Sequence, residues 1–311
     1  MKPKFDAEEL NLISLSNKFN SETKARKLFE RMRWADGKPI CPHCKHDEAY
    51  KIKSRKETKC KARPGLYCCS ACRKTFTATV GTVLEDSHIP ISTWLKAMFI
   101  LCNAKKSVSA LQLKRMLGVA YKTAWFMAHR LRFAMGTDFA KVKRLENTIE
   151  ADETFCPAFE TSIKTCLALV IERDGQARTR VIPSVTAKNV GQFLSECVSK
   201  SAIVNTDEHA AYRMALKGQN RHQRVNHSRY EYARTNPDGS VSHTNTAESF
   251  FSLLKRGIFG SYHCISREHL PKYANEFEFR WNTRKVSDGE RLVEFVPMIA
   301  GKRLLYRQPK N

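Results

Sequence analysis

The 311-residue sequence contains no apolar run near the ~20 residues that a membrane-spanning helix requires. Its longest apolar run, around Ala97 to Cys102, is short and sits inside an ordinary helical pattern. The chain is therefore not expected to span a membrane. The opening MKPKFDAEEL has no apolar segment after its lysines, so no secretory signal is expected either. Acidic residues are scarce beside basic ones. There are 31 Asp and Glu against 54 Lys and Arg, a formal net charge of +23. A surplus that large points to a polyanionic partner, and with the membrane option weak that means DNA or RNA.

Cysteine is not scarce, but it is concentrated. Eleven cysteines in a chain this long and charged do not suit a small disulfide-stapled scaffold. Six of them fall between Cys41 and Cys72, which points to metal in a reducing compartment and to a cytoplasmic protein. Cys41-Pro-His-Cys44 and Cys69-Ser-Ala-Cys72 are two C-x2-C knuckles. Each places two thiolates on a tight turn, about 2.3 Å from one tetrahedral Zn²⁺. The segment between them alternates through Tyr50, Lys51, Lys53 and Tyr67, as the strands of a zinc ribbon would. Cys68 competes with Cys69, and Cys60 and His43 are weaker alternatives; Cys69 restores the two-residue spacing. Arg73-Lys-Thr-Phe is a basic exit from the second knuckle.

Residues 1–36 read as an accessory helical segment, with Ser21 as a helix cap and Leu28, Phe29, Met32 and Trp34 as its apolar side. Residues 37–80 read as the ribbon and 88–136 as a helix-turn-helix. Within the latter, Ser92 to Ala104 is one helix with Ser92 as its cap. A short helix from Ser107, a turn at Gly118 and a second helix from Tyr121 follow. Leu111, Leu113, Leu117, Ala124, Met127 and Leu131 are its expected core. In such motifs the second helix enters the major groove. That presents Tyr121, Lys122 and Thr123 to base edges, with Arg130 and Arg132 further along.

From about Leu145 the texture changes. Strands are expected at Asn147–Phe155, Thr165–Glu172, Thr179–Pro183 and Ala202–Asp207, with a helix at Asn189–Val198 before the last. This is the order of an α/β RNase H-like core over 145–285. Asp152 lies on the first strand and Asp207 ends the fourth, which is expected to pair beside it. Ser242 to His263 then reads as an amphipathic helix. Asn245, Glu248, Ser252 and Lys255 share one face, and Gly257 and Gly260 stop it. Converging carboxylates repel unless a cation sits between them. Mg²⁺ suits such oxygen donors and the phosphoryl displacement they serve. Glu153 and Glu208 are neighbours that compete with Asp152 and Asp207 as ligands. Strand alternation sends Asp152 and Glu153 to opposite faces. Residues 286–311, with Lys302, Arg303 and the end RQPKN, read as a solvated basic tail.

Several blocks together carry a resemblance: CPHC and CSACRKTFTATVGTVLEDSHIPISTW, SVSALQLKRMLGVAYKTAWFMAHRLR, ADET, TDEHAAY, HTNTAESFFSLLKRGIFGSYH and HLPKYANEFEFRWNTR. From Cys41 to Arg284 the chain resembles bacterial insertion-sequence transposases of the ISXO2-like, Merlin-related group. That group joins a zinc ribbon and helix-turn-helix to a DDE core of RNase H-like fold. The resemblance implies binding to terminal inverted repeats, Mg²⁺- or Mn²⁺-dependent cleavage and joining to target DNA, and a homodimer or larger assembly on paired ends. It implies catalytic roles for Asp152 and Asp207. Glu248 is the expected third ligand, with Asn245 in support, and Lys255 with Arg256 on DNA phosphate. The group has glycines shortly after the first aspartate, where this chain reads Phe155-Cys-Pro-Ala-Phe, so a stiffer loop is expected there. Two other readings compete. One is a catalytically silent DNA-binding regulator or domesticated transposase, against which all three acids speak. The other is a host RNase H-like nuclease, against which the two upstream DNA-binding modules speak.

Overall fold

The first helices start where their capping chemistry dictates. In α1 (Leu12–Lys18) Asn11 caps the first turn, and in α2 (Glu22–Arg33) the Ser21 hydroxyl accepts the Lys24 N–H at 3.3 Å. A computed structural model describes residues 7, 10–34, 36–53, 62–156, 165–218 and 221–305. The chain divides into two units, Met1–Met135 with Lys285–Asn311, and Gly136–Arg284.

In the first unit α2 buries Leu28, Phe29 and Met32, and Trp34 follows directly. The Trp34 ring meets Tyr67 and Phe76 edge-on, with centroids 5.4 and 6.4 Å away. Those two belong to a three-stranded antiparallel sheet of β1 (Ala49–Lys51), β2 (Tyr67–Cys69) and β3 (Thr75–Phe76). Next, α3 (Ile91–Asn103) is apolar nearly all round and buries eight residues from Trp94 to Cys102. Ser92 does not cap it. The Glu22 carboxylate of α2 accepts the Ile91 and Ser92 N–H groups at 2.8 and 3.2 Å and takes over that role.

Two further helices follow. In α4 (Ala110–Leu117) Ser109 caps the start, and Gly118 ends it at φ 66°, a left-handed conformation that suits glycine. Two residues later α5 (Tyr121–Ala134) begins. Leu113, Ala124, Met127 and Leu131 are buried between these helices, whereas Leu111, an expected core residue, is 46% exposed. Residues two apart do not share a helix face, so α4 cannot bury Leu111 and Leu113 together. Residues Asp288–Met298, read as part of a tail, form a helix with a Ser287–Glu290 capping box. It buries Leu292, Phe295 and Val296 and packs on α2 and α3.

The second unit is built on β4 (Thr148–Cys156), β5 (Thr165–Glu172) and β6 (Ala177–Ile182), joined antiparallel. A crossover through α6 (Ala187–Cys197) leads to β7 (Ile203–Thr206), which lies parallel to β4; α7 (Ala210–Ala215) leads to β8 (His222–Arg224), parallel to β7. The sheet order β6-β5-β4-β7-β8 is that of an RNase H-like core. A hairpin of β9 (Ala233–Thr235) and β10 (Val241–His243) precedes α8 (Asn245–Gly257), and α9 (Leu270–Asn282) closes the unit.

Strand β5 is buried on both sides, as a central strand must be. Cys166, Ala168 and Val170 pack with Val190 and Phe193 of α6, while Leu167, Leu169 and Ile171 pack with Phe250, Leu254 and Phe277 of α8 and α9. The edge of β6 is covered by side chains of α9. Glu278 accepts the Thr179 N–H at 2.7 Å, and Asn282 bonds both backbone groups of Ala177.

Candidate functional site

Both knuckles of the ribbon close in the same way. The Lys45 N–H bonds back to Cys41 and the Arg73 N–H to Cys69, and both residues have positive φ, 66° and 59°. These turns bring Cys41, Cys44, Cys69 and Cys72 within 4.8 Å of one another. The Sγ atoms of Cys41 and Cys72 are 3.7 Å apart, and those of Cys44 and Cys69 3.5 Å. The N–H groups of Cys72 and Ala71 point at the Cys69 sulfur and draw its thiol down to about 6, against its burial. Four thiols at tetrahedral spacing fit Zn²⁺. Cys68 instead turns its S–H to the Arg73 carbonyl, and Cys60 lies outside the described residues. We expect one zinc per chain by metal analysis. Chelation should abolish amide-exchange protection at Cys69, because metal binding and folding of such a ribbon are one event. Protection that survives metal removal would refute a structural zinc.

At the start of α5, Tyr121 and Lys122 are exposed and Thr123 half-buried. Arg130 and Arg132 are not at this face. Arg130 stacks over Phe126 and donates to the Glu85 carbonyl at 3.2 Å; Arg132 is 1% exposed and donates to the Val108 carbonyl at 3.2 Å. Positions 130 and 132 follow the buried Met127 and Ala128 on the packed half of α5. Both guanidinium groups therefore brace the unit from inside.

In the second unit the parallel register pairs Glu150 with Asn205. Continued by two residues, it sets Asp152 opposite Asp207. Asp152 shares a face of β4 with Glu150, the face covered by α8. Glu153 points to the other face, where its carboxylate accepts the Tyr212 hydroxyl at 2.7 Å. Burial pushes the Asp152 carboxyl up to about 7, and the charges of Glu153, Asp207 and Glu248 push the same way. Only the Glu153 N–H, donating to Oδ1 at 2.8 Å, opposes them.

Glu208, the neighbour of Asp207, is engaged elsewhere. It accepts N–H groups from His227 and Ser228 and the Ser228 hydroxyl, and these bonds, the hydroxyl foremost, hold its carboxyl down at about 2.

Asp152, Glu248, Lys255 and Arg256 line one cleft of about 730 Å³, floored by Phe251 and walled by Phe259. Asn245, one turn before Glu248 at the exposed start of α8, is not part of that lining. The oxygens of Asp152, Asp207 and Glu248 do not all come within 4.8 Å of one another, as the four cysteine sulfurs do. Mutual repulsion favours that spread. Their donor set, carboxylate oxygen throughout, fits Mg²⁺.

Helix α8 does not stop at its glycines. Gly257 is a buried helical residue, and the chain continues as a π-helical turn over Ile258–Tyr262 until His263 ends it at φ 65°. Ile258, 1% exposed, holds this turn on the core.

One residue of this region carries no mark in the sequence. Glu150 is fully buried, and its carboxylate sits at the N-terminus of α8. It accepts the Thr246 and Ala247 N–H groups at 2.7 and 3.0 Å, the Thr246 hydroxyl at 2.9 Å and the Arg173 Nε at 2.8 Å. Arg173 also donates to the carbonyls of Val241 and His243, so hairpin, helix and strand meet on one ion pair. An alternating strand with acidic residues at 150, 152 and 153 shows no difference in role among them until α8 is placed.

A four-thiol ribbon ahead of an RNase H-like sheet, with one acidic residue within its central strand and one just past the neighbouring parallel strand, defines a class of DNA-element proteins, and comparison with known proteins agrees. Residues 144–282 match the ISXO2-like transposase domain, and residues 20–75 the transposase zinc-ribbon domain. A relative in transposable element ISH50 of Halobacterium salinarum, itself uncharacterized, is 26% identical over 287 residues, 84% of this chain and 91% of that protein. The chain therefore carries an ISXO2-like transposase domain behind a transposase zinc-ribbon domain.

Proposed function

We propose that the chain cleaves DNA at the ends of its own insertion sequence and transfers the freed ends to target DNA. What supports this is the parallel register that pairs Glu150 with Asn205, two residues before Asp152 and Asp207, with Glu248 and Lys255 of α8 lining the cleft that Asp152 enters. Asp152, Asp207 and Glu248 would hold Mg²⁺, which would supply Lewis-acid activation for phosphoryl displacement. The chain's own residues do the rest. The Lys255 and Arg256 side chains offer cationic contacts for the phosphate backbone in the same cleft. Phe251 and Phe259 form its apolar side.

The helix-turn-helix supplies end recognition. Tyr121, Lys122 and Thr123 stand at an exposed helix start that no side chain caps, which suits contact with a phosphate and entry into a groove. The acting form is a dimer or larger assembly on paired ends in the cytoplasm. A silent DNA-binding regulator is the lesser reading, because it leaves the Asp152 carboxylate, half-buried and facing the charges of Asp207 and Glu248, without a role. The Cys-Pro-Ala-Phe departure, from Pro157 on, lies outside the described residues.

The test is Mg²⁺-dependent nicking of a duplex carrying the element's terminal repeat. Glu248→Gln should lower the rate at least about 10²-fold, and Asn245→Ala less than tenfold, because only Glu248 carries a carboxylate into the cleft. If only the Asn245 change is lethal, the third ligand is Asn245. If the wild-type chain never nicks the repeat, the transposase reading falls.

A further inference from the structure

Beside the carboxylates lies a segment that the foregoing mechanism does not use. Residues His222 to Arg234 connect β8 to the hairpin and border a cavity of about 620 Å³. Arg224, Arg229 and Arg234 line it and are exposed; among the described residues none of the three forms an ion pair. The two carboxylates of the same lining are occupied internally. Glu231 accepts the Asn226 N–H at 3.0 Å, and Glu208 holds the backbone of His227 and Ser228. The cavity therefore presents free positive charge.

Two aromatic rings stand out of the same segment. Tyr230 is 84% exposed and Tyr232 55%, the latter with its ring 5.4 Å from His227. Tyr230 also holds φ 59°, a left-handed conformation that a bulky residue seldom adopts. The bend is enforced by Tyr230 N–H bonding to His227 and Glu231 N–H to Asn226. Backbone strain is retained where the surroundings over-determine it, which occurs at functional sites. The segment is tied to the candidate catalytic residues at two points. Glu208 follows Asp207 directly in the chain, and His227 Nδ1 lies 3.8 Å from a Glu248 oxygen.

We infer that this segment grips DNA next to the scissile phosphate. Arg224, Arg229 and Arg234 hold the strand, and Tyr230, backed by Tyr232, stacks on a base that has left the duplex. The inference rests on the transposase reading and deepens it by naming the substrate form, DNA with an unpaired base at the cleavage point. Exposed rings stack on any unpaired base because every base has a π-face, and arginines around them follow the backbone. A helix face reading an intact groove needs base-edge donors and acceptors instead.

The test measures binding in Mg²⁺-free buffer, using terminal-repeat duplexes either fully paired or with one unpaired 2-aminopurine at the cleavage point. Tyr230→Ala should weaken binding of the unpaired probe about tenfold, leave the paired probe within about twofold and abolish quenching of the 2-aminopurine. Tyr230→Phe should behave as wild type. Tyr230→Asn relaxes the backbone yet should bind like the alanine variant, which separates ring from fold. The double change Arg229→Ala and Arg234→Ala should weaken both probes and reduce the salt slope by about 1–2. Wild-type nicking together with a Tyr230→Ala protein that treats both probes as wild type does would overturn this inference alone. Absence of wild-type nicking or repeat binding would strike the transposase reading instead.

Discussion

Asp152→Asn should abolish Mg²⁺-dependent cleavage, by at least about 10³-fold, and leave duplex binding unchanged. Asn keeps the volume and one acceptor oxygen, so β4 and its Glu153 N–H contact survive. It removes the charge on which metal binding depends. On the proposed reading, duplex binding rests on α5 and on surface charge, neither of which Asp152 touches.

The same variant makes a second, opposite-looking prediction for stability. Burial raises the Asp152 carboxyl from 3.8 to about 7. The folded state thus holds its proton more tightly than the unfolded state, and metal-free stability falls as pH rises from about 4 through 7. At pH 8 the ionised buried group costs on the order of 2–4 kcal/mol, a cost that Asn does not carry. Metal-free Asp152→Asn should therefore melt above wild type at pH 8 and alongside it near pH 4. Adding Mg²⁺ should raise the melting temperature of wild type only. Thermal scans at the two pH values, with and without Mg²⁺, settle this. A variant that melts below wild type at pH 8 would show that Asp152 is stabilised by contacts other than a cation.

What was legible in the sequence and what was not follow a physical division. Local signals read well. The cysteine knuckles depend on spacing alone, and Gly118 ends α4 through backbone chemistry that a neighbour cannot change, although the start read at Ser107 falls at Ser109. The strands of the core also read well, because β5 is apolar on both faces and central strands have few alternatives. Non-local decisions did not. Ser92 was a plausible cap, but Glu22 reaches the same N–H groups from another helix. Gly257 had the composition of a helix stop, but burial of Ile258 carries the helix past it. Arg130 and Arg132 looked like surface charge because composition does not tell which face of α5 is packed. The C-terminal helix had its signal, Ser287-Asp-Gly-Glu290 followed by apolar steps of three and four, and only its basic flank concealed it.

The carboxylate neighbourhood divides the same way. Asp207 stands out in sequence because it directly follows a strand, and Asp152 because it interrupts one with charge. Glu150 does not, although α8 hangs on it. Glu150→Ala should cost about 3–5 kcal/mol, since it leaves two helix N–H groups and the Thr246 hydroxyl without an acceptor and takes the carboxylate from the half-buried Arg173 guanidinium. For a unit of this size that lowers the melting temperature by roughly 6–20 °C. Cleavage should fall with it, because Glu248 is one turn into the helix that Glu150 anchors. Repeat binding through α5 should persist.

Glu150→Gln separates anchoring from bulk. It fills the same space but turns a donor toward groups that already donate, so it should lose most of the stability that alanine loses. Packing alone would predict little change for glutamine. Cleavage measured below the variant's own melting temperature then distinguishes the two roles. A folded Glu150→Gln protein with a reduced rate and unchanged repeat affinity marks a positioning residue acting through α8. A folded variant with wild-type cleavage would mean that α8 is held by Phe250, Phe251 and Leu254 on the β5 face, with the buried ion pair incidental to the site.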